Sequence, residues 1–327
     1  MQTQQNYKYQ MKPLFEQRMK TLLQNPEDFQ KFNDIIHQPP LNFIRCNTLK
    51  ISHNKLIKKL EKKWQVSQPF QNFPEILLVN SELFPGELGN SLEHILGYYY
   101  IQEISSMLPI IALDPKPNEI VLDLFASPGS KTTQMAAKMQ NKGTIIANDL
   151  KIDRIKILSS NLGRCGVTNA IITKKDAIAL TSKLAKSKFK FDKILLDAPC
   201  SGEGTLRSSP KTFLMWNEKV INKLSRQQKK FIAFALKCLK KSGILIYSTC
   251  THAPEENEEI MDFAINNFPV KIEPVSHLLP LTTRLGITSW QEKKFNEQVK
   301  LSCRIYPHDN ESEGFFLAKL TLLEEIK

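Results

Sequence analysis

The sequence has no cysteine pair spaced C-x-x-C, which argues against a zinc ribbon and against a thioredoxin-like redox motif. Its six cysteines (Cys46, Cys165, Cys200, Cys238, Cys250 and Cys303) are expected as free thiols in a reducing cytosol. No apolar run approaches the roughly 20 residues that cross a bilayer, and the polar opening MQTQQNYKYQ lacks a signal-peptide core. The expectation is a cytoplasmic chain with no membrane partner and no metal. Acidic residues are in deficit: 33 Asp plus Glu face 45 Lys plus Arg, a formal net charge of +12. That balance favours a polyanionic partner such as RNA or DNA over a generic lysine-rich background. Internal repeats and low-complexity tracts are absent. The usual phosphate cradles are missing too. DLFASPGSKTT does not read G-x-G-x-x-G, and Phe125 stands where a G-x-x-x-x-G-K-[ST] loop requires its first glycine.

What is present is 327 residues, 41% hydrophobic and 24% charged, enough for one large domain or a large one with a small one. Residues 1–95 are rich in Gln, Asn, Lys and Pro. KPLFEQRMKTLL and NPEDFQKFNDII have the spacing of short amphipathic helices. PPLNFIRCNTLK reads as a strand leaving a Pro–Pro break, and HNKLIKKLEKKW as a basic helix. From residue 96 the pattern becomes regular. IVLDLFA, GTIIAND, AIITKKDA, FDKILLDAPC and SGILIYSTC read as five strands. KTTQMAAKMQN, LKIDRIKILSSNLGRCG and SRQQKKFIAFALKCLKK read as helices between them. Strand–helix alternation predicts a parallel sheet with helices on both faces.

In such a sheet ligands bind at the carboxyl ends of the strands. Those ends carry Phe125–Lys131, Asp149, Asp176, Asp197–Cys200 and Thr249–Cys250. One acid at a strand end can merely cap a helix; three acids and two cysteines on one edge are harder to dismiss as caps. Gly129 permits close backbone approach, and the helix start after it offers N–H groups to a carboxylate. Asp149 stands where an acid accepts both hydroxyls of a ribose, and Asp176 where one meets an adenine amino group. Carboxylate, ribose and adenine without phosphate describe S-adenosylmethionine. A reading of the same residues as turns and caps stays open.

VLDLFASPGSKT, DAPCSGEGT, YSTC followed by PEENEE, and the terminal RIYPHDNESEGFFLAKL resemble the ordered motifs of the RNA 5-methylcytosine methyltransferases. LGYYYIQEISSMLP resembles that family's lead-in, and PLNFIRCNTLK is a weaker echo. The likeness covers about residues 90–327 and is similar in style to the compact archaeal tRNA enzymes. There is too little chain between Thr48 and Leu96 for an inserted PUA domain. The resemblance implies an α/β, Rossmann-like class I methyltransferase: a three-layer sandwich with a mostly parallel seven-stranded sheet and one antiparallel strand near GFFLAKL. It implies a small N-terminal α+β region that helps hold RNA (1–95) before a catalytic domain (96–327), acting as a monomer.

C5 of cytosine is a poor nucleophile, and a thiolate added at C6 turns it into an enamine carbon able to attack a sulfonium methyl. The resemblance assigns that addition to Cys250 and product release to Cys200. It matches Asp197 to an acid that contacts the cytosine ring and favours protonation or hydrogen bonding at N3. It matches Lys131 to a lysine near the base, whose charge favours a neighbouring thiolate. The implied cofactor-binding set is Phe125, Ala126, Ser127, Pro128, Gly129, Ser130, Lys131, Asp149, Arg154, Asp176 and Asp197. Where the family often reads C-A-A-P-G-G-K-T, Phe125 replaces the cysteine, Ser127 an alanine and Ser130 the second glycine. RNA is the expected partner, tRNA before rRNA. HNKLIKKLEKK and Arg207 are expected at phosphates. Cys238 is expected on the apolar face of the long helix, with Cys165 and Cys303 also structural. Three readings stay open: EENEE as a solvated helix start or a shaper of the site; His308 in packing or on RNA; Tyr98, Tyr99 and Tyr100 stacking on bases or buried. The rivals are a non-catalytic RNA-binding module and, more distantly, a thiol redox protein.

Overall fold

Two helices open the described chain, Pro13–Leu23 and Pro26–Ile35, each with proline at its start, where a missing N–H costs nothing. They are where the amphipathic spacing predicts them. The structure, a computed structural model, describes residues 10–326, so most of the polar opening MQTQQNYKYQ lies outside the described residues. β1 (Asn42–Cys46), β2 (Val66–Ser67), β3 (Ile76–Val79) and β4 (Tyr99–Ile101) form an antiparallel sheet in the order β2-β3-β1-β4. The basic helix His53–Leu60 packs Leu56 and Leu60 into that sheet's core. β4 pairs Ile101 with Ile44, so this first sheet closes with residues beyond position 95.

β5 (Ile120–Asp123), β6 (Thr144–Asp149), β7 (Ala170–Lys174), β8 (Phe191–Asp197) and β9 (Leu239–Thr249) are parallel, in the order β7-β6-β5-β8-β9. Beyond them come β10 (Val270–Glu273), β11 (Arg284–Leu285), the small hairpin of β12 (Ser289–Trp290) and β13 (Lys293–Lys294), β14 (Cys303–Ile305) and β15 (Phe315–Leu322). β15 runs antiparallel beside β9, as expected for GFFLAKL. The next position is shared by β14 and β10, which pair with successive halves of β15. The seven expected positions are thus present, but nine described strands occupy the sheet, because two share a position and β11 extends β14.

Both faces of the parallel strands are buried, and alternate residues take opposite sides. Leu122, Ile194, Leu196 and Tyr247 face one core, packed by the helices Ala177–Lys186, Glu218–Leu236 and Glu258–Asn267. Val121, Leu195 and Ile246 face the other, packed by Ile104–Leu113 and Ser130–Lys138. No described helix is long and apolar enough to cross a membrane. The long helix stops at Leu236, short of the predicted end. Leu239 pairs with Phe191 as the first residue of β9, and Cys238 sits in the turn between, its Sγ donating to Thr181 O at 3.1 Å. Sheet pairing overrode helical periodicity there.

A buried charge pair ties β14 to the segment that follows β9: the Arg304 guanidinium grips Glu258, both fully buried, and also donates to His252 O at 3.0 Å. Removing one partner strands the other's charge in the core. Glu258→Ala should therefore cost about 3–5 kcal/mol in urea denaturation; an unchanged midpoint would show that this pair contributes nothing.

Candidate active site at the ends of two paired strands

β8 and β9 pair with Asp197 opposite Ser248. Parallel neighbours finish at the same edge, so the loops after Asp197 and Thr249 leave the sheet together. The fifty-residue separation disappears: Cys200 Sγ and Cys250 Sγ lie 3.1 Å apart, and the Cys250 N–H points at Cys200 Sγ at 3.3 Å. Both thiols are free and half-buried. Its hydrogen bond with Cys250, then burial, push the Cys200 thiol well above its ordinary range. Gly204 N–H donates to Cys250 O at 2.9 Å, and a Cβ on Gly204 would stand 2.1 Å from Gly314 O. Only glycine lets these three segments meet.

Asp197 lies three residues before Cys200. Its Oδ1 accepts from Ser248 Oγ at 2.6 Å and its Oδ2 meets Lys131 Nζ at 2.7 Å. Lys131, on the first turn of Ser130–Lys138, also donates to Ser106 Oγ at 2.9 Å and lies 5.7 Å from the Phe315 ring centre. The four expected catalytic residues therefore share one edge of the sheet.

The expected cofactor residues sit on the neighbouring strand ends. Gly129, at φ 105°, starts the helix with no side-chain cap, and a Cβ there would lie 3.1 Å from Leu158. The first-turn N–H groups of a helix have no internal acceptor. Ala126 N–H donates to Asn148 O at 2.8 Å, tying the loop to β6. Arg154 donates to Ser127 O at 2.7 Å, Ser127 Oγ donates to Arg154 O at 2.7 Å, and Asn161 donates to Pro128 O at 2.9 Å. Ser130 O accepts from Arg45, and Phe125 packs edge-on to Phe231 at 4.9 Å. Asp149 is buried; its Oδ2 lies 3.4 Å from Arg154 but has no hydrogen-bond partner. An orphaned buried acceptor beside an uncapped helix start fits a ligand carrying hydroxyl donors and a carboxylate. Asp176 is exposed and uses Oδ1 to cap Ala177–Lys186, accepting from Ile178 and Ala179 N–H.

Three open readings and one expectation resolve differently. EENEE is no solvated helix start. Glu255 bonds Arg18 and Trp290, Glu256 accepts from Ser201 N–H and Gln228, Asn257 binds Thr249 and Thr251, and Glu258 holds Arg304, all four buried. Arg207 does not reach out for phosphates: it is buried, and its Nε, Nη1 and Nη2 donate to Gln38 O, Ser312 O and Pro39 O. His308 joins Asp28 and Arg284 rather than facing solvent; Asp28, His308 and Asp309 could cluster round a cation, but the Arg284 guanidinium binds both carboxylates. Tyr99 and Tyr100 are buried, and Tyr98 is half-buried.

Residues 110–321 match the family profile of the 16S rRNA methyltransferases RsmB/F, and residues 11–104 that of the N-terminal domain of 16S rRNA methyltransferase RsmF. The chain belongs to the RsmB/F family of RNA methyltransferases. It is 41% identical over 295 residues to the tRNA (cytosine(49)-C(5))-methyltransferase of Pyrococcus abyssi, covering 90% of this chain and 92% of that one. It is 40% identical over 310 residues to the ribosomal RNA small subunit methyltransferase F of Psychromonas ingrahamii, covering 94% of this chain but 62% of that relative's length. A methyltransferase homologue from Pyrococcus horikoshii superposes with TM-score 0.83 at 34% identity over 96% of both chains. NSun6 from P. horikoshii, solved with SFG, superposes with TM-score 0.78 at 27% identity, covering 94% of this chain and 97% of that one.

Within this RsmB/F fold, the sequence motifs leave Asp123 without a role and name Glu256 only as part of EENEE. Burial pushes the Asp123 carboxyl up to about 7, against a hydrogen bond from Thr132 Oγ1 at 2.6 Å to its Oδ2, while Oδ1 has no partner. Burial likewise pushes Glu256 up to about 7. Their signal was position: one ends β5, the other directly follows the Cys250 loop. A carboxyl whose folded value is raised binds its proton more tightly when folded. The stability it contributes is complete below about pH 4 and is lost as pH rises toward 7. Between pH 5 and 8 the wild-type protein should accordingly lose more stability than Asp123→Asn in urea titrations. Equal losses would mean that Asp123 is already ionised in the folded chain.

Proposed function

We propose that this chain methylates C5 of a cytosine in tRNA, using S-adenosylmethionine, with Cys250 adding to C6 and Cys200 serving product release. The observation that carries the reading is the 3.1 Å approach of two thiols beside a carboxylate bound to Lys131. A lone nucleophile needs no second thiol; addition followed by elimination uses one group to attack and another to move a proton. Cys200 lies close enough to hydrogen-bond the Cys250 sulfur as its bond to C6 breaks and the C5 proton passes to a base or to water, which supports the second role. Asp197, tied to Ser248 and Lys131, is suited to meet the N3 side of the ring as C6 is attacked. Lys131 supplies positive charge at the same edge. The N-terminal region with its first sheet would hold RNA, and the target base must leave its stack to reach the loops.

Bound at the Phe125–Lys131 loop, S-adenosylmethionine supplies an electrophilic methyl. The residues that would hold it are Phe125, Ala126, Ser127, Pro128, Gly129, Ser130, Asp149 and Arg154, with Asp197 and Lys131 facing the reacting end. Asp149 would accept from the ribose through its unpartnered oxygen, and Asp176 would meet the adenine with the oxygen its cap leaves over. The tRNA assignment rests on the likeness to the P. abyssi enzyme running through nearly the whole of both chains, whereas the rRNA relatives carry further sequence. We read the protein as a cytoplasmic monomer.

Removing the two thiols should have different consequences. Cys250→Ala should abolish methyl transfer and form no covalent complex. Cys200→Ala should still add and methylate but stall, trapping a protein–RNA adduct stable to denaturing electrophoresis. The reverse pattern would exchange the assignments, and full activity in Cys250→Ala would sink the covalent mechanism. Run on separated tRNA and ribosomal RNA, the same assay decides the substrate. For the cofactor, Asp149→Ala should weaken S-adenosylmethionine binding by about 1.5–3 kcal/mol in calorimetry; an unchanged affinity removes Asp149 from the ribose role.

A further inference from the structure

Five cations run straight down the helix Glu218–Leu236 and its C-cap: Lys219, Lys223, Arg226, Lys230 and Lys237. Their spacings keep them, at 3.6 residues per turn, within an arc of about 60°, and at 1.5 Å per residue the stripe is about 27 Å long. The first four are exposed, and none of the five has an ion-pair partner among the described residues. Lys229, just off the stripe, is instead engaged by Glu259 at 2.7 Å. Asn222 and Gln227 flank the cations and share with Lys219, Lys223 and Arg226 a shallow depression of about 610 Å³. At its lower end the stripe opens on a cleft of about 800 Å³ lined by Lys186, Lys188, Lys190 and Lys237, with Phe234 and Glu325.

The helix is also joined to the reacting groups. On its inner face Gln228 donates to Pro199 O at 2.9 Å and to Glu256 at 2.8 Å, supporting the Cys200 loop. Just before it, Trp216 donates to Glu203 at 2.6 Å, and Glu203 accepts from Thr251, the neighbour of Cys250, at 3.1 Å. The first half of the helix, from the Trp216 end to Gln228, therefore lies beside the catalytic loops, and the outer stripe runs along it and beyond.

We infer that this stripe is the track on which the sugar–phosphate backbone of the RNA arm carrying the target base docks. The inference rests on the RNA methyltransferase reading and adds a surface to it, distinct from the basic helix His53–Leu60 and from the buried Arg207. A row of unpaired cations neutralises phosphates whatever the base sequence, and neutral amide donors beside them suit phosphate oxygens and 2′-hydroxyls.

The test is to replace four cations together (Lys219→Gln, Lys223→Gln, Arg226→Gln, Lys230→Gln) and to measure Kd for a tRNA transcript that the wild-type enzyme methylates, from low to physiological salt. Kd should rise about tenfold or more at low salt, and the slope of log K against log salt should become shallower by about 3, near 0.7–0.9 per lost phosphate contact. Lys219→Arg, Lys223→Arg and Lys230→Arg together should bind as wild type. A control set with the same charge change elsewhere (Lys142→Gln, Lys271→Gln, Lys294→Gln, Lys300→Gln) should leave most of the slope intact. Equal effects of the two glutamine sets, or no effect of the stripe set on an RNA that the wild type binds and methylates, would overturn the assignment. A wild-type protein that neither binds nor methylates any RNA would instead fail the functional reading itself.

Discussion

The site depends on the register between β8 and β9. Asp197 faces Ser248 across a parallel ladder, so the chain crosses the same edge of the sheet twice, at points fifty residues apart. A slip of one residue would turn Asp197 to the other face and separate the thiols. β15, antiparallel on the far side of β9, brings Gly314 to the same edge, where Gly204, Gly314 and the Cys250 carbonyl meet at distances no side chain tolerates. The 3.1 Å approach of the sulfurs follows from backbone pairing and two glycines.

Under that edge lies a layer of buried acids, each held by a partner from a different part of the chain: Glu255 by Arg18, Glu256 by Gln228 and the Ser201 N–H, Glu258 by Arg304. A buried carboxylate without a partner is costly, so these contacts are mutually enforcing. They connect the first helix, the long helix and the late strands beneath the Cys250 loop. The chain's shortage of acids makes the grouping more telling, since many of its lysines are left to solvent while this cluster of acids is turned inward.

The first sheet is attached to the same edge. Arg45 of β1 is buried and donates to Ser130 O and Thr133 Oγ1, at the start of the helix that carries Lys131, while stacking on Tyr100. Asp28, from the second helix, meets Arg284 of β11 and His308, just after β14. The N-terminal region is thus joined through hydrogen bonds to the elements that carry the reacting loops.

By itself the sequence determined the strand–helix alternation, the five strand ends and the family, because period-2 and period-3.6 patterns and short ordered motifs are local properties of the chain. It also marked Cys200, Cys250, Asp197 and Lys131, whose motifs are contiguous. Only the tertiary structure decided what each polar residue faces. Arg207 looked like a phosphate ligand and is turned onto three carbonyls; EENEE read equally as solvent or site and is mostly core; Asp123, which no motif singles out, is a buried carboxyl. The helix predicted to run past Leu236 ends there because Leu239 is claimed by Phe191. Each difference has the same origin: burial and hydrogen-bond partners come from segments tens to hundreds of residues away, and no local pattern encodes them.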